Sequence, residues 1–442
     1  MIRIEWRALA WNRRDGLVVL SLAAVAAIAS FYAGQFIPFE TWDVWFEGDL
    51  FRTYQNMVRA DSDHSRTNLH PLVTYVTYRP TARLIAHVET VTAVRLVLAT
   101  VAALWIATFY LLLRALDCRR LDAGLFSLLA CISAAAMFWL PVPETYSFGS
   151  STVLLALLLM LIVPQTSFWG YVFINVLTLS MTVTNWMAGL LATIVTHSWI
   201  RSLQVIGATI TVVVILSGIQ KRGFPDAQYP FVKSVEEQEF LLKDDAGGPT
   251  RIMSSFFFHS MIMPNIKIVE NDQIFQGPKT TNLSHKLSTQ MASIGSGSRW
   301  AQLAVPLWTA LLIFGFWALF SLRQHTKFRL VLGFSLAGQL VLHLAYGEET
   351  FLYALHFAPL LVITASLATL TVARPLVLLL AAILIVTAGL NNIVQFQHSL
   401  KLVKCLHQRV LSVKTDACTS TLIRASDSMD SVNMPSAGHS DG

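Results

Sequence analysis

Apolar residues dominate long stretches of this chain, and short polar connections separate most of them. Several stretches approach 20 residues without a charged side chain, the length that a helix needs to cross about 30 Å of hydrocarbon. The pattern predicts eleven membrane spans, at residues 17–38, 96–115, 122–141, 147–164, 168–183, 186–200, 203–219, 301–321, 328–346, 351–371 and 375–393. The predicted fold class is therefore an all-α polytopic membrane protein.

Two features of this pattern need separate treatment. Residues 17–38 are too long for a signal peptide and lack its small-residue cleavage site, so we predict a retained span. The predicted spans 168–183 and 186–200 are short, and only Thr184 and Asn185 separate them. Short helices are tolerated at membrane depth where they line a cavity inside the protein.

Two long polar connections divide the chain. The first, residues 39–95, belongs to an N-terminal transmembrane module of residues 1–219, and the second fills residues 220–300. A C-terminal transmembrane module is predicted at residues 301–393. Residues 394–442 form a tail that is predicted to be partly disordered, because its end is rich in Ser, Asp and Gly.

Composition agrees with the span pattern. The chain is 54% hydrophobic and 13% charged, whereas a soluble domain carries about 25% charged residues. The net charge of +6 does not indicate nucleic-acid binding, since membrane proteins collect Lys and Arg in cytoplasmic loops. We therefore predict membrane lipids and no nucleic acid as partners.

Charge alternates between successive short connections. One set carries basic residues near the membrane, whereas the intervening set carries none; the basic residues are Arg3, Arg7, Arg13, Arg14, Arg114, Arg119, Arg120, Arg201, Arg323, Lys327, Arg329 and Arg374. The intervening set carries Glu144, Asn185, Glu348 and Glu349. This alternation predicts a cytoplasmic N-terminus in a cell membrane, as in a bacterial inner membrane. Eleven spans place the C-terminus outside, but its basic residues leave ten or eleven spans open.

The four cysteines divide into two pairs. Cys118 and Cys131 lie at or in predicted spans and are expected to be inert apolar residues. Cys405 and Cys418 share the tail and could form a disulfide if the tail is outside. Their spacing fits no metal motif, so no metal ligands are assigned, although a divalent metal remains a possible cofactor.

The first long connection is the densest in chemistry. Its aromatic residues Trp42, Trp45, Phe46 and Phe51 suit the headgroup level, so the segment is expected to lie along the interface. On a helix, Asp49 and Arg52 would be one turn apart on one face. Further along, His70-Pro71 before an apolar run indicates the polar cap of a short interfacial helix.

This loop resembles the first extracytoplasmic loop of the GT-C glycosyltransferase superfamily. The resemblance rests on an acid soon after the first span, an amphipathic stretch with Tyr and Arg that ends at Met57, and then a basic residue before Pro71-Leu72. The family's catalytic carboxylate falls on Asp49, with Asp43 as the alternative. Many members have two adjacent acids, whereas Leu50 follows Asp49 here, so the choice stays open.

The resemblance implies a transferase that moves a hexosyl or pentosyl group from a polyprenyl-phosphate donor. A carboxylate would deprotonate the acceptor hydroxyl. Arginines would bind the lipid phosphate, because a guanidinium can bond two oxygens at once. The candidates are Arg52, Arg66, Arg79 and Arg83, with His70 as a further substrate-binding residue. The acceptor would be a glycan or glycolipid.

Two further positions on the predicted outer face fit the same chemistry. Glu144 lies in Pro-Val-Pro-Glu-Thr-Tyr, a tight turn that is also similar to a position in several GT-C members. Glu349, Tyr353 and His356 are spaced to share one helix stripe. There, His356 either bonds Tyr353 or serves as a phosphate or acid–base group.

A transporter or flippase of a lipid-linked or polar solute is the alternative function. That class typically places charged residues near the middle of the membrane. Here the ionisable residues gather at the predicted outer boundary, and only His197, His343 and His356 lie deeper. The chain also shows no internal repeat.

Overall fold

A computed structural model describes residues 13–40, 43–232, 246–270 and 285–411. The helices are α1 (Arg13–Gly34), α2 (Leu50–Val58), α3 (Val73–Ile85), α4 (Thr90–Ala115), α5 (Arg120–Cys131), α6 (Ala134–Trp139), α7 (Thr145–Ile162), α8 (Phe168–Met181), α9 (Trp186–Thr196), α10 (Trp199–Gly223), α11 (Gly248–Ser254), α12 (Arg299–Ser321), α13 (Thr326–Ala345), α14 (Ala354–Ser366) and α15 (Arg374–Leu411). The strands β1 (Lys267–Glu270) and β2 (His285–Ser288) pair antiparallel. Single 3-10 turns occupy Ser65–Asn68, Thr350–Tyr353 and Leu367–Leu370, and a π turn occupies Ser255–His259.

Most of the helical residues lie in segments that could span a membrane. Within the described residues, eight helical segments are long and apolar enough to cross a membrane, namely α1, α4, α7, α10, α12, α13, the segment Thr350–Leu370 and α15. Helices α8 and α9 are apolar but shorter. The prediction of an all-α polytopic membrane protein is therefore confirmed.

One predicted span is broken. Where the apolar pattern predicts a single helix over residues 122–141, the chain forms α5 and α6 with an interruption at Ile132 and Ser133. The Ser133 hydroxyl caps α6 by accepting the Ala136 N–H at 3.2 Å. The Ile132 carbonyl accepts the Asn392 side-chain amide at 2.8 Å. Both bonds satisfy backbone groups that the break frees, which membrane depth requires.

The last helix is longer than predicted. The predicted span ends at residue 393, but α15 continues to Leu411, so the first part of the predicted tail is helical, and its end, predicted to be disordered, lies outside the described residues. At 38 residues, the helix is about 57 Å long. Asn391 donates to the Met263 carbonyl at 2.8 Å, and Asn392 accepts the Met263 N–H at 2.9 Å. These polar residues, which interrupt the apolar run, bind the second long loop to α15.

Buried ion pairs hold one end of the helix bundle together. The Asp15 carboxylate at the start of α1 is only 1% exposed and accepts Arg114 Nε at 3.1 Å and Arg120 Nε at 3.2 Å. Asp122 on α5 binds Arg374 at the start of α15 through two bonds of 2.9 and 2.7 Å. We call this the ion-paired end.

The two long loops meet at the opposite end. Leu287 in β2 donates its N–H to the Val44 carbonyl of the first loop at 2.9 Å. Further along the first loop, Leu72 donates to Ser180 at 2.8 Å, and Val183 donates to Leu69 at 2.9 Å. The first loop is therefore held both by the second loop and by the connection between α8 and α9.

The cysteines follow the expected division as far as the structure describes them. Cys118 is buried and Cys131 is partly buried, and both are free thiols. Cys405 on α15 is disulfide-bonded. Cys418 and the remainder of the tail beyond residue 411 lie outside the described residues.

Candidate functional site

A buried aromatic turn positions the first loop. Trp45 and Phe46 are almost fully buried within the protein, Phe51 is partly buried, and Trp42 lies outside the described residues. Trp45 donates its indole N–H to the Phe138 carbonyl at 3.1 Å, and the Phe46 ring lies 5.3 Å from that of Phe351. Both rings also pack against the Phe138 ring of α6.

The backbone of this turn is strained. Phe46 and Glu47 are consecutive non-glycine residues in the left-handed region, with φ of 48° and 63°. Such conformations cost of order 1–3 kcal/mol each and persist only where surrounding packing enforces them. Here the buried rings of Trp45 and Phe46 provide that packing. The turn directs Glu47 and Asp49 towards the space between the two long loops.

That space is a cavity of about 240 Å³ at the loop end of the bundle. Its walls come from the first loop, α3, α7, α13, α14 and the second loop. Its titratable lining residues are Glu47, Asp49, Glu144, Glu348, Arg52, Arg66, Lys286, His64, His70, His343, His356, Tyr146, Tyr346 and Tyr353. Of the eleven site residues that the sequence proposed, seven line this cavity: Asp49, Arg52, Arg66, His70, Glu144, Tyr353 and His356.

Asp49 and Glu144 form a carboxylate pair of unequal exposure. Asp49 precedes α2, forms an ion pair with Arg52 one turn later, and is 24% exposed. Glu144 is only 3% exposed and accepts Thr145 N–H at 2.8 Å, the Thr53 hydroxyl at 3.2 Å and Asp49 N–H at 3.4 Å. Burial raises the pKa of Glu144 to about 7. The cavity therefore holds one accessible carboxylate beside one that binds a proton near neutrality.

Asp43, the alternative catalytic residue, lies elsewhere. Its Oδ1 accepts the Phe51 N–H at 2.7 Å, a bond to the first turn of α2. Burial raises the pKa of Asp43, although the bond from Phe51 opposes the shift. Asp43 does not line the cavity within the described chain. Its contacts are those of a residue that stabilises the start of a helix.

His70 reaches the cavity from just ahead of α3. That helix begins at Val73, after Leu72, so Pro71 precedes the helix and does not occupy its first turn. His70 Nδ1 lies 2.8 Å from the Met181 carbonyl, which requires the proton on Nδ1 and leaves Nε2 as an acceptor. Burial, with the nearby cations Arg66 and Arg52, lowers the pKa of His70 to about 4. His70 is thus a neutral imidazole at pH 7.

Arg66 and Arg52 are the arginines that the structure brings into the cavity, whereas Arg79 and Arg83 do not line it. The Arg79 guanidinium lies over the Tyr75 ring, 5.3 Å from its centre. The two lining arginines come from different turns of the first loop. Both guanidinium groups therefore lie at the same cavity.

Glu349 serves the second loop. It is buried and accepts bonds from the Ser288 hydroxyl at 2.6 Å, the Thr289 hydroxyl at 2.7 Å and the Thr289 N–H at 3.0 Å. The predicted stripe with Tyr353 and His356 is wrong, because the 3-10 turn Thr350–Tyr353 separates Glu349 from α14. Glu349 lies behind the cavity wall and fixes β2 to the bundle.

Tyr353 and His356 line the cavity without bonding each other. The Tyr353 ring stacks on His343, with centres 5.0 Å apart, and the His356 ring meets Tyr146 edge-on at 5.3 Å. His356 Nε2 has no hydrogen-bond partner among the described residues. The expected bond from Tyr353 to His356 is therefore wrong, since Tyr353 pairs with the other histidine.

Lys286 in β2 is a site residue that the sequence did not identify. Its Nζ lies 2.5 Å from Glu47 and 3.3 Å from Glu348, so it joins both loops and the connection after α13. Burial raises the pKa of Glu47 to about 7, against the opposing effect of Lys286. The second long connection has no motif that would single out this lysine.

Two findings bear on what this arrangement can hold. In the chain as far as it is described, no group of three or more His, Cys, Asp or Glu residues could hold a metal ion. Comparison of the chain with family models, with characterised proteins and with solved structures finds no match. The functional argument therefore rests on the cavity itself.

Proposed function

We propose that this chain is a membrane glycosyltransferase that moves a sugar from a polyprenyl-phosphate donor to a glycan or lipid acceptor on the extracytoplasmic face. One observation carries the proposal. A carboxylate, two arginines and two histidines chosen from the sequence for this chemistry, together with Glu144 and Tyr353, surround one cavity. The cavity lies where apolar helices meet the two long loops, a position open to a lipid-linked substrate.

Asp49 is the proposed general base. The acceptor oxygen bonds to the anomeric carbon while the bond from that carbon to the phosphate oxygen breaks. Asp49 takes the hydroxyl proton, and the bonding pair leaves with the polyprenyl phosphate. Positioned proton transfer of this kind contributes about 10²–10⁴-fold. Asp49 is preferred over Asp43 because its carboxylate is partly exposed in the cavity.

The cations of the cavity would receive the leaving phosphate. Arg52 and Arg66 suit two-point phosphate binding, and Lys286 adds a third positive charge from the second loop. Glu144 would hold the base in place, since it accepts bonds from the backbone of Asp49 and from Thr53. Glu144 is thus a positioning residue.

The proposed topology has eleven spans, with α5 and α6 together forming one broken span and α8 and α9 forming two short ones. The basic residues at the ion-paired end assign that end to the cytoplasm. The C-terminus is then outside, which agrees with the disulfide at Cys405, because disulfides persist in oxidising compartments. A bacterial inner membrane is the proposed location.

The transporter alternative would need a path to the other side of the membrane. The cavity lies at the loop end, whereas at the opposite end the buried carboxylates of Asp15 and Asp122 are bound to arginines. This contrast favours chemistry at one face over passage through the bundle.

The test compares Asp49→Asn with Asp61→Asn, an exposed acid of the same loop that pairs with Arg59. Purified protein would be incubated with radiolabelled polyprenyl-phosphate sugars and membrane glycolipids. We expect Asp49→Asn to lose at least about 10²-fold in transfer, with an unchanged unfolding midpoint, and Asp61→Asn to keep full activity. Full activity of Asp49→Asn would overturn the assignment. If the protein moved a solute across vesicle membranes and transferred sugar from none of the donors, the transporter function would replace the proposed transferase.

A further inference from the structure

A second group of polar side chains meets at the floor of the cavity. Asn185 lies just before α9, Thr182 follows α8, and His356 lies in the first turn of α14. All three converge on Gly149 of α7. His356 and Thr182 also line the cavity of the proposed active site, whereas Asn185 and Gly149 lie directly behind them.

This group contains polar atoms that the chain does not satisfy. Asn185 is 1% exposed, and neither its Oδ1 nor its Nδ2 has a partner in the described residues. His356 is 3% exposed, and its Nε2 also has no hydrogen-bond partner in the described residues. A buried polar group without a partner costs about 1–3 kcal/mol. Two such side chains at one place indicate a site built for something other than packing.

Gly149 allows these side chains to pack closely against α7. A Cβ atom on Gly149 would lie 2.7 Å from Asn185 Nδ2, 3.0 Å from His356 Nε2 and 3.4 Å from Thr182 Oγ1. A glycine inside a helix is less stable than alanine by roughly 0.5–1 kcal/mol. Its presence in α7 lets the Asn185 and His356 side chains approach the helix backbone closely, at the edge of the cavity that Thr182 and His356 line.

The chemistry of the four residues selects the ligand. An amide both donates and accepts, a threonine hydroxyl does the same, and an imidazole nitrogen does one or the other. No carboxylate, guanidinium or ammonium belongs to the group, whereas Asp49, Arg52 and Arg66 belong to the rest of the cavity lining. A hydroxyl group, which also donates and accepts, matches this set better than a phosphate does.

We infer that Gly149, Thr182, Asn185 and His356 form a subsite for hydroxyl groups of the transferred sugar. The subsite rests on the proposed function and deepens it. The phosphate of the donor belongs to Arg52 and Arg66, and the sugar ring extends from there to the floor. Asn185 thereby contributes to sugar specificity and takes no part in proton transfer.

Binding, measured apart from transfer, tests this subsite. The probes are citronellyl phosphates that carry glucose, mannose or galactose, together with the monodeoxy analogues of the sugar that binds most tightly. Their dissociation constants would be measured by calorimetry on the full chain and on Asn185→Ala and Gly149→Ala. Gly207→Ala is the matched control, because a Cβ there meets nothing within 4 Å.

We expect Asn185→Ala and Gly149→Ala to bind the complete sugar about 10–100-fold more weakly, the range for one lost polar contact. Gly207→Ala should bind like the unsubstituted chain. At least one deoxy analogue should bind the unsubstituted chain more weakly than the complete sugar does, by the same factor. That analogue should bind Asn185→Ala no more weakly than the complete sugar binds Asn185→Ala. Asn185→Leu, which fills the space with apolar atoms, should raise the unfolding midpoint and still weaken binding.

Each remaining outcome has one meaning. If the unsubstituted chain binds the probes and both variants bind them equally well, the subsite is wrong and the proposed function stands. If removal of each hydroxyl weakens binding by the same factor in Asn185→Ala as in the unsubstituted chain, the subsite is also wrong. If the unsubstituted chain binds no glycosyl phosphate, the proposed function fails and the subsite fails with it.

Discussion

The two ends of the helix bundle use the same residue types in different ways. At the ion-paired end, Asp15 is bound by Arg114, Arg120 and the Tyr110 hydroxyl, which lies 2.9 Å away. At the cavity end, Asp49 and Glu144 border a space of about 240 Å³. Charges that saturate each other stabilise the contact between helices. The ion pairs Asp49–Arg52 and Lys286–Glu47 at the cavity end also border an open space, so a ligand can compete for their charges.

Substitution at the ion-paired end should have the largest effect on stability. Arg114→Met leaves buried Asp15 with fewer cations, and removing one partner of a buried pair costs about 3 kcal/mol. We expect a lower unfolding midpoint in detergent, while each folded molecule binds glycosyl phosphate normally. The double variant Asp15→Leu with Arg114→Met should recover much of the loss. A binding defect in folded Arg114→Met would show that the two ends are not separate.

The pH dependence of stability distinguishes the cavity end. Burial raises the pKa of Glu144 from 4.5 to about 7, so the folded chain holds a proton that the unfolded chain releases. The contribution of Glu144 to the free energy of unfolding is therefore complete below pH 4.5 and is lost as pH rises to about 7. Its magnitude is on the order of 3 kcal/mol.

Glu144→Gln isolates this contribution, because other groups such as His70 titrate with the opposite sign. The unfolding midpoints of both proteins would be measured at pH 5, 6, 7 and 8. We expect the difference between them to change from pH 5 to 7 and then to level off. A constant difference would mean that Glu144 is ionised throughout this range in the folded chain.

Lys286 provides a matched test between the ends. Lys286→Met leaves Glu47 and Glu348 facing the cavity without their shared cation, so an anionic donor should bind about tenfold more weakly, or roughly 1.4 kcal/mol. Lys327→Met removes an exposed lysine that bonds Gln165 at the other end and should leave binding unchanged. Equal losses in both variants would indicate a general effect of net charge.

Asp43 should give the smallest effect. Asp43→Ala removes the bond to the Phe51 N–H at the start of α2, and such helix-start bonds contribute about 1 kcal/mol. We expect a slightly lower unfolding midpoint and transfer within about twofold of the unsubstituted chain after correction for folded protein. A loss of transfer as large as that expected for Asp49→Asn would reverse the choice between the two acids.

The sequence predicted local features better than distant contacts. Apolar length located the helices, and a chemical rationale selected Asp49, Arg52, Arg66 and His70 from one continuous loop. Lys286 could not be found in this way, because its partner Glu47 lies far earlier in the chain and no spacing rule joins them. For Glu349, helical spacing suggested a stripe that a 3-10 turn removes.

Bonds from α15 to the second loop also set an order of assembly. Chains fold from the N-terminus as they are made, yet Met263 depends on Asn391 and Asn392 in the final helix. The second loop, which brings Lys286 to the cavity, therefore cannot form all its contacts until the ribosome has released nearly the whole protein. A chain ending at Thr371 should insert its earlier helices, yet leave residues 246–270 open to protease.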